Sequence, residues 1–139
     1  MSYTLDRFAT EAAEDAMSRP PKPLTQRGLT VVLPAWNEAA NIAATTASVL
    51  ATLSVLAPHF EIVIVDDGSR DRTGEIAEGL AAHDPRVRVV HHAVNRGYGA
   101  AVVSGFDAAT KELVFFMDSD GQFDIGDIGM LIDPYERGA

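Results

Sequence analysis

The chain of 139 residues contains no cysteine. A disulfide framework and a thiolate metal site are therefore excluded, and nothing requires an oxidising compartment, so we predict a cytoplasmic protein. No apolar run approaches the roughly 20 residues that a membrane-spanning helix needs, and the N-terminus lacks the apolar core of a signal peptide. We expect no transmembrane segment in this chain.

Basic residues are also scarce, with 11 Lys and Arg against 20 Asp and Glu and a formal net charge of -9. This balance argues against a protein that binds nucleic acid through a basic face. Residues 1–27 carry equal numbers of acidic and basic side chains, so the whole acidic excess lies in residues 28–139. A phosphate-bearing ligand would be repelled there unless a divalent cation offset the charge.

Proline separates two parts of the chain. Residues 5–17 could form a short helix, but the stretch SRPPKPL at 18–24 cannot continue it, because proline lacks a backbone donor and fixes an extended geometry. We predict a flexible tail and linker over 1–27 and one globular domain over 28–139. The hydrophobic content of 47% is enough for a single core of ordinary domain size.

Short apolar runs alternate with helical patterns from Leu29 onward. We predict strands at 29–34, 60–67, 86–90 and 112–118, and helices at 39–56, 71–82, 97–109 and 125–139. This order predicts an α/β, Rossmann-like fold with a mostly parallel sheet of about four strands and helices on both faces. Ligands of such sheets bind at the carboxyl ends of the strands, so the polar residues that follow strands one, two and four should meet there.

The first two of these polar segments each allow a structural and a functional interpretation. After strand one, Trp36 could stack on a base, but packing into the core is the favoured interpretation because large aromatic residues are mostly structural. Glu38 suits the first turn of a helix. After strand two, helix capping could explain Ser69, Asp71 and Thr73. Capping does not explain the adjacent Asp66 and Asp67, since one of them must point inward or at a ligand.

The stretch NRGYGAAVVSGF at 95–106 has glycines at 97, 99 and 105, but Val102 stands where a dinucleotide fingerprint needs its last glycine. Close packing of a helix on the sheet is the preferred interpretation of these glycines. His91 and His92 are adjacent on a strand, so their side chains should point to opposite faces and not chelate one ion. We predict no catalytic role for any of the four histidines.

The stretch DSDGQ at 118–122 ends the fourth predicted strand with oxygen ligands. Asp118, Asp120 and Gln122 are hard donors of the type that suits magnesium or manganese. The longer stretch DSDGQFDIGDIG lacks the glutamate that an EF-hand needs at its twelfth position, which argues against calcium. A plain polar turn is the alternative.

Together the stretches VVLPAWNEAANI, IVIVDDGSRDRT, NRGYGAAVVSGF and VFFMDSDGQFD resemble, in order and spacing, the family 2 glycosyltransferases with the GT-A fold. Within that family the chain is most similar to the dolichol-phosphate mannose synthases and polyprenyl-phosphate glycosyltransferases. The resemblance implies the nucleotide-binding half of a GT-A fold and a metal-dependent, inverting transfer of sugar from a GDP- or UDP-sugar to a lipid phosphate.

The resemblance also implies roles for individual residues. It implies metal ligation by Asp118, Asp120 and Gln122, with Mg²⁺ or Mn²⁺ as the cofactor, and it makes Asp118 and Asp120 the catalytic residues. Trp36 is a mild departure, because the family more often has tyrosine there. The residues implied to bind the nucleotide sugar are Pro34, Trp36, Glu38, Val65, Asp67, Asp118, Ser119 and Asp120.

Two alternatives stay open. Proteins of the resembled family continue well past this point with an acceptor half, so we expect a truncated transferase that could touch the cytoplasmic face of a membrane through the missing part. A nucleotide-binding module without catalysis is the first alternative. A nucleotidyltransferase is the second, although PAWNEAAN offers no basic residue for its phosphate loop.

Overall fold

The computed structural model describes residues 27–57 and 59–119. Its four strands form one parallel sheet in the order β3-β2-β1-β4. The strands are β1 Leu29–Ala35, β2 Phe60–Asp67, β3 Val87–His92 and β4 Leu113–Phe116, and the helices between them are α1 Ile42–Leu56, α2 Thr73–His83 and α3 Tyr98–Ala108. The predicted α/β fold with a parallel sheet is confirmed. The helix predicted at 125–139 and all but the last residue of the tail predicted at 1–27, including the segment 5–17, lie outside the described residues.

The two faces of the sheet bury different clusters. One face presents Leu29, Val31 and Leu33 of β1 to the side chains of α1 and α2. The other face presents Val32 of β1 and Val63 and Val65 of β2 to Ala101 of α3. Because both faces are covered, β1 and β2 are buried along their whole length, which explains the consecutive apolar residues at their centres, 31–33 in β1 and 62–65 in β2. The prediction of helices on both faces is confirmed.

Helix α3 lies very close to the sheet. A Cβ atom at Gly105 would collide with the side chain of Val32, so only glycine allows this approach. The interpretation of the glycine-rich stretch as a packing device is confirmed at this position.

Strand β1 continues through Pro34, one residue beyond the predicted stop. The carbonyls of Gly28 and Val32 accept hydrogen bonds from Leu113 of β4 and from Met117 just after it, so the backbone of Pro34 faces the same neighbour. The pairing between β1 and β4 has already ended at Val32 and Phe116. The N–H that proline lacks is therefore not needed, and the strand tolerates it.

Strand β3 also runs further than predicted, because its last residues pair with the end of β2. Asp66 pairs with His91 and Asp67 pairs with His92 in the parallel register. Helix α1 begins at Ile42, later than predicted, since the backbone of residues 37–39 is bound elsewhere, as described below. Within the described part of the chain, no helix is long and apolar enough to span a membrane.

Candidate functional site

The carboxyl ends of all four strands lie at one edge of the sheet, which we call the carboxyl rim. The rim carries Ala35 at the end of β1, Asp67 at the end of β2, His92 at the end of β3, and Asp118 just beyond β4. The strand order reverses between β1 and β4, because β2 and β3 lie on one side of β1 and β4 on the other. In open α/β sheets this switch point is the usual position of a ligand crevice.

The segment after β4 is fastened to β1 by a buried serine. Ser119 is 2% exposed, and its hydroxyl donates to the Pro34 carbonyl over 2.9 Å. The hydroxyl of Thr45 in α1 donates to the Ser119 carbonyl over 3.3 Å. The serine between the two aspartates therefore points into the protein, and this anchoring leaves Asp118 exposed at the rim.

Trp36 follows β1 and is 52% exposed. Packing of this side chain into the core, the interpretation favoured by the residue type alone, is wrong. An indole this exposed at the carboxyl rim is available to a ligand. Its neighbour Asn37 has a positive φ of 53°, a conformation that few residues other than glycine adopt.

Residues 37–39 are bound to the segment that follows β2. The N–H groups of Asn37, Glu38 and Ala39 donate to the side chains of Ser69, Thr73 and Asp71, at distances of 3.0, 2.8 and 3.1 Å. The Arg70 N–H donates back to the Asn37 side-chain oxygen over 2.9 Å. These two segments thus hold each other in place, and Glu38 is fixed at the rim.

The structural interpretation of the polar residues 69–73 was that they cap α2. They also have a second role. Asp71 accepts hydrogen bonds from both the N–H and the hydroxyl of Thr73, so local capping is part of their role. The Thr73 hydrogen bond, opposed by desolvation and joined by bonds from the Thr73 and Ala39 backbones, holds the pKa of Asp71 below its ordinary value. The sequence did not indicate that the same side chains bind the segment after β1.

The adjacent aspartates of β2 point to opposite faces of the sheet. Asp66 lies beside the His91 ring, with 3.1 Å between Oδ2 and Nδ1, and it also accepts a hydrogen bond from the Ser69 N–H. The other ring nitrogen of His91 lies 2.7 Å from a Glu78 carboxylate oxygen. The hydrogen bond with Glu78, followed by the hydrogen bond with Asp66 and the charges of both carboxylates, raises the pKa of His91 against the effect of burial.

Asp67 is buried, and its carboxylate contacts the other histidine. Its Oδ1 accepts from His92 Nδ1 over 2.7 Å, and the His92 Nε2 lies 2.8 Å from the Ser104 hydroxyl. Burial acts to raise the pKa of Asp67, but hydrogen bonds from the Arg96 backbone, His92 and the Gly97 backbone outweigh it and lower the pKa. His91 and His92 have separate partners on opposite faces, as predicted, and they do not converge on one ion.

Val65 and Pro34 are both buried, and Val65 is fully enclosed beneath α3. Neither side chain is open to a ligand from the rim, so any part they take in ligand binding falls to their backbone groups or to the shape they impose. Their implied roles in nucleotide binding stay predictions.

Tyr98 is a residue of this edge that sequence analysis missed. It is the first residue of α3 and is 52% exposed. Desolvation by burial, followed by the charge of Asp118, raises the pKa of Tyr98 to about 12. The sequence contained a signal for its exposure, since Tyr98 stands between Gly97 and Gly99 at the start of a helix and glycine has no side chain that could cover the ring.

Asp118 is the only implied metal ligand within the described residues. Asp120 and Gln122 lie outside them, and residues 27–57 and 59–119 contain no group of three His, Cys, Asp or Glu side chains that could hold a metal. An exposed carboxylate at the rim fits a hard divalent cation in donor type and position. A complete site would need oxygen donors in addition to Asp118.

Comparison with known proteins identifies the family of this chain. Residues 30–139 match the sequence model of glycosyl transferase family 2. The polyprenol monophosphomannose synthase of Mycolicibacterium smegmatis is 36% identical over 100% of this chain and 51% of its own length. An undecaprenyl-phosphate 4-deoxy-4-formamido-L-arabinose transferase of Shewanella sediminis is 34% identical over 79% of this chain and 34% of its own length. The chain therefore spans about half, or less, of these relatives.

Solved structures share the fold. A mannosyltransferase from Pyrobaculum calidifontis, solved with GDP-Man and Mn²⁺, superposes with a TM-score of 0.67 at 22% identity, over 96% of this chain and 40% of that one. Glucosyl-3-phosphoglycerate synthase from Mycobacterium tuberculosis, solved with Mn²⁺, UDP and glucosyl-3-phosphoglycerate, superposes with a TM-score of 0.64 at 27% identity, over 85% of this chain and 45% of that one. The match over residues 30–139 shows that the chain belongs to glycosyl transferase family 2.

Proposed function

We propose that this chain forms the nucleotide-sugar-binding part of an inverting, metal-dependent glycosyltransferase whose acceptor is a polyprenyl phosphate. The observation that supports this function most directly is the position of Asp118. Its carboxylate stands exposed at the switch point between β1 and β4, beside the segment that carries Trp36 and Glu38. The names of the relatives from M. smegmatis and S. sediminis support a polyprenol-type acceptor.

We assign donor binding to the carboxyl rim. Trp36 offers an exposed aromatic face on which a nucleobase can stack, and Glu38 is held beside it by the contacts of residues 37–39. Asp67 would contribute to base recognition from the end of β2. Pro34 and Val65 would shape the floor of the site, and Ser119 would hold the segment of Asp118 against β1.

The proposed cation ligands are Asp118, Asp120 and Gln122, with Asp118 and Asp120 as the catalytic residues. The Mn²⁺ in the M. tuberculosis structure supports a divalent cation, and either Mg²⁺ or Mn²⁺ suits the oxygen donors. When bound, the cation would stabilise the negative charge that collects on the departing nucleoside diphosphate. It would also explain how the acidic part of this chain tolerates a diphosphate ligand.

In the proposed reaction, the bond between the anomeric carbon and the diphosphate oxygen breaks, and an acceptor phosphate oxygen bonds to that carbon from the opposite side. A lipid phosphate is already anionic, so the acceptor needs no strong protein base. The contribution of this chain is to bind and orient the donor through the rim. We place the reaction at the cytoplasmic face of a membrane, where a lipid phosphate could meet the acceptor half of the protein.

Trp36 provides the first test, because it is the only tryptophan of the chain and is exposed at the rim. Its fluorescence would be titrated with GDP and with UDP, each with and without Mn²⁺. We expect cation-dependent quenching, and the preferred base would narrow the identity of the sugar. Quenching that is equal with and without cation would contradict the metal assignment.

Asp118→Asn is the decisive variant for the cation. Loss of an outer partner of a metal ligand commonly weakens metal binding by 10–100-fold, so loss of the ligand itself should cost more than roughly 100-fold in cation-dependent nucleotide affinity. Asp107→Asn is a matched control, because Asp107 is an exposed aspartate near the far end of α3, roughly 14 Å along the helix from Tyr98. Equal nucleotide affinity in Asp118→Asn and the parent would exclude the proposed site.

Turnover separates the transferase from a module that binds nucleotide sugar without transferring it. The protein would be given the preferred nucleotide sugar, Mn²⁺ and a polyprenyl phosphate, and the glycolipid product measured. We expect product in the parent and none in Asp118→Asn. Tight, cation-dependent nucleotide binding without product from the full-length protein would favour the non-catalytic alternative.

A further inference from the structure

The carboxylate of Asp67 has no acceptor position left for a ligand. Its Oδ1 accepts from His92 Nδ1 at 2.7 Å and from the Arg96 N–H at 2.8 Å. Its Oδ2 accepts from the Asn95 side chain at 3.1 Å and from the Gly97 N–H at 2.9 Å. A carboxylate offers about four acceptor positions, so a base N–H would have to displace one of these donors. Asp67 therefore contributes to base recognition through the residues that it holds.

The loop at 95–97 is fixed to the end of β2 in two further ways. Gly97 has a φ of 98°, a conformation that side chains rarely adopt, and α3 begins directly after it. Gly68, the residue after β2, touches the start of the loop, since a Cβ atom there would lie 2.3 Å from the backbone nitrogen of Asn95. Hydrogen bonds, backbone conformation and close contact thus hold the loop in one position.

His92 connects the same carboxylate to α3. An ionised carboxylate only accepts hydrogen bonds, so the Nδ1 of His92 donates to Asp67, and its Nε2 is left to the Ser104 hydroxyl at 2.8 Å. Ser104 belongs to α3, the helix that follows the loop at 95–97. The strand before the loop and the helix after it are therefore both bound to Asp67, directly or through His92.

Arg96 is the charged side chain that this fixed loop presents to solvent. It is exposed, and within residues 27–57 and 59–119 no hydrogen bond or ion pair engages its guanidinium. Arg86 and Arg88, at the other end of β3, each pair with a carboxylate, at 2.8 and 3.0 Å. A guanidinium without such a partner, on a backbone that is held in place, is available to a ligand.

The strand order places Arg96 on the side of the rim that suits the base of a nucleotide. Asp118 follows β4, Trp36 follows β1, and the Arg96 backbone is bound to the end of β2. Neighbouring strands lie about 4.8 Å apart, so the ends of β4 and β2 are roughly 10 Å apart. With the diphosphate at Asp118 and the base stacked on Trp36, the edge of the base would face Arg96.

We propose that Arg96 determines the base of the donor by binding the edge of a guanine, and that Asp67 is a positioning residue that acts through the loop at 95–97. This inference rests on the proposed function, since it takes the carboxyl rim as the site of a nucleotide sugar. It gives the two residues different parts in base recognition, because Arg96 contacts the base and Asp67 does not.

The physical reason for guanine is that a guanidinium carries donors only. Guanine presents two adjacent acceptors, O6 and N7, whereas adenine presents the N7 acceptor beside an N6 donor. A guanidinium can therefore form two parallel hydrogen bonds with guanine and only one with adenine. Such a pair discriminates against the wrong base by about 5-fold to 150-fold.

The first test compares four nucleotides that all stack as purines, titrated with Mn²⁺ present and followed by the fluorescence of Trp36. They are GDP, inosine diphosphate (which keeps O6 and N7), 7-deaza-GDP (which lacks only N7) and ADP. We expect GDP and inosine diphosphate to bind alike, and the other two roughly 10-fold more weakly. Equal affinity for GDP and ADP would overturn the proposal, and so would inosine diphosphate that binds as weakly as ADP.

Arg96→Lys separates recognition of the base from attraction of the diphosphate. Lysine keeps the positive charge but lacks the planar fork, so we expect roughly 10-fold weaker GDP binding, unchanged ADP binding and an unchanged melting temperature. Arg86→Lys makes the same change just before β3 and is the matched control. A GDP preference that survives in Arg96→Lys would reject the role of Arg96, and equal losses for GDP and ADP would assign Arg96 to the diphosphate instead.

The link to Asp67 is tested with a double-mutant cycle read out as the ratio of GDP to ADP affinity, which a purely structural loss would leave unchanged. We expect Asp67→Asn to lower this ratio, and Asp67→Asn/Arg96→Lys to lower it little further, because both changes act on one contact. Ratios that multiply would contradict the link. Should Asp67→Asn not fold, Gly97→Ala takes its place, since it strains the same loop and its Cβ meets no atom within 4 Å.

The parent protein distinguishes failure of this inference from failure of the proposed function. Cation-dependent binding of all four nucleotides with equal affinity would leave the donor site standing and reject only the role of Arg96. A folded, full-length protein that binds none of them, and no UDP, would remove the proposed function and this inference with it.

Discussion

Strand β2 carries a buried carboxylate near each of its ends, Glu61 near the amino end and Asp67 at the carboxyl end. Burial acts to raise both pKa values, and in both cases hydrogen bonds outweigh it and leave the pKa lowered. Glu61 accepts from the Thr30 hydroxyl at 2.7 Å and from the N–H and hydroxyl of Thr110 at 2.7 and 2.9 Å. By environment alone the two carboxylates are nearly equivalent.

Their partners differ in what they position. The donors to Glu61 come from β1, from the connection into β4 and from Arg88 of β3, which pairs with it at 3.0 Å and also donates to the Ala108 carbonyl at the end of α3. These contacts join elements at the edge of the sheet remote from the rim. The donors to Asp67 come from the loop that ends at Tyr98. A buried carboxylate with a shifted pKa therefore does not by itself mark a ligand-binding site. What distinguishes Asp67 from Glu61 is its position at the carboxyl end of the strand, where ligands of such sheets bind.

Asp67→Asn should give the largest effect, because it disturbs both stability and the site. An amide cannot accept all the hydrogen bonds that the carboxylate receives, and leaving buried donors unsatisfied costs about 1–3 kcal/mol. We also expect roughly 10-fold weaker GDP or UDP binding in the presence of Mn²⁺, because the proposed function assigns base recognition to Asp67 and about 1.4 kcal/mol of lost interaction is a tenfold change in affinity. Chemical denaturation and nucleotide titration measure the two effects. If Asp67→Asn is destabilised but binds nucleotide with the affinity of the parent, Asp67 is a purely structural residue, like Glu61.

Glu61→Gln should lower the free energy of unfolding by a similar amount, about 1–3 kcal/mol, since Arg88, Thr30 and Thr110 lose the carboxylate they share. Nucleotide and Mn²⁺ affinities should stay at the parent values. Glu75→Gln, on the exposed surface of α2, is the matched control for the chemical change. Weaker nucleotide binding in Glu61→Gln would show that the amino end of β2 also acts on the site.

Acid should remove the contribution of Glu61 and Asp67 to the free energy of unfolding. Each has a folded pKa below its unfolded value, so the stability it provides is complete above the unfolded pKa, near 4, and is lost as the pH falls through the lower folded pKa. Unfolding free energies measured from pH 5 to pH 2 should fall steeply in the parent and less steeply in Glu61→Gln. Identical slopes in the two proteins would show that Glu61 is not the group that is protonated.

His91 should give the smallest effect, because its ring and Glu78 are largely exposed. Its folded pKa is raised by Glu78 and Asp66, so its contribution is complete below the unfolded pKa, near 6.5, and is lost as the pH rises through the folded pKa. Exposed pairs are worth less than about 1 kcal/mol. The parent should lose a small part of its unfolding free energy as the pH rises above 6.5, and His91→Gln should lose less. Chemical denaturation across that pH range measures the difference, and nucleotide binding should be unchanged.

The amino-acid sequence by itself determined the order of strands and helices, the parallel sheet and the edge at which the polar residues meet. Hydrophobic periodicity and proline are local signals, and they fix the elements without knowledge of distant contacts. The ends of the elements were predicted less well. Strand β3 reached His92 because β2 supplies partners there, and α1 began late because residues 37–39 are bound to 69–73.

Only the tertiary structure decided which way the rim side chains point. It turned Trp36 outward and Ser119 inward, enclosed Asp67 among donors from 92–97, and placed Tyr98 beside Asp118. These contacts join residues far apart along the chain, 85 positions for Ser119 and Pro34. A local pattern gives the types of residues at the rim, but a buried hydrogen bond forms only where packing brings donor and acceptor within reach, and that geometry belongs to the whole fold.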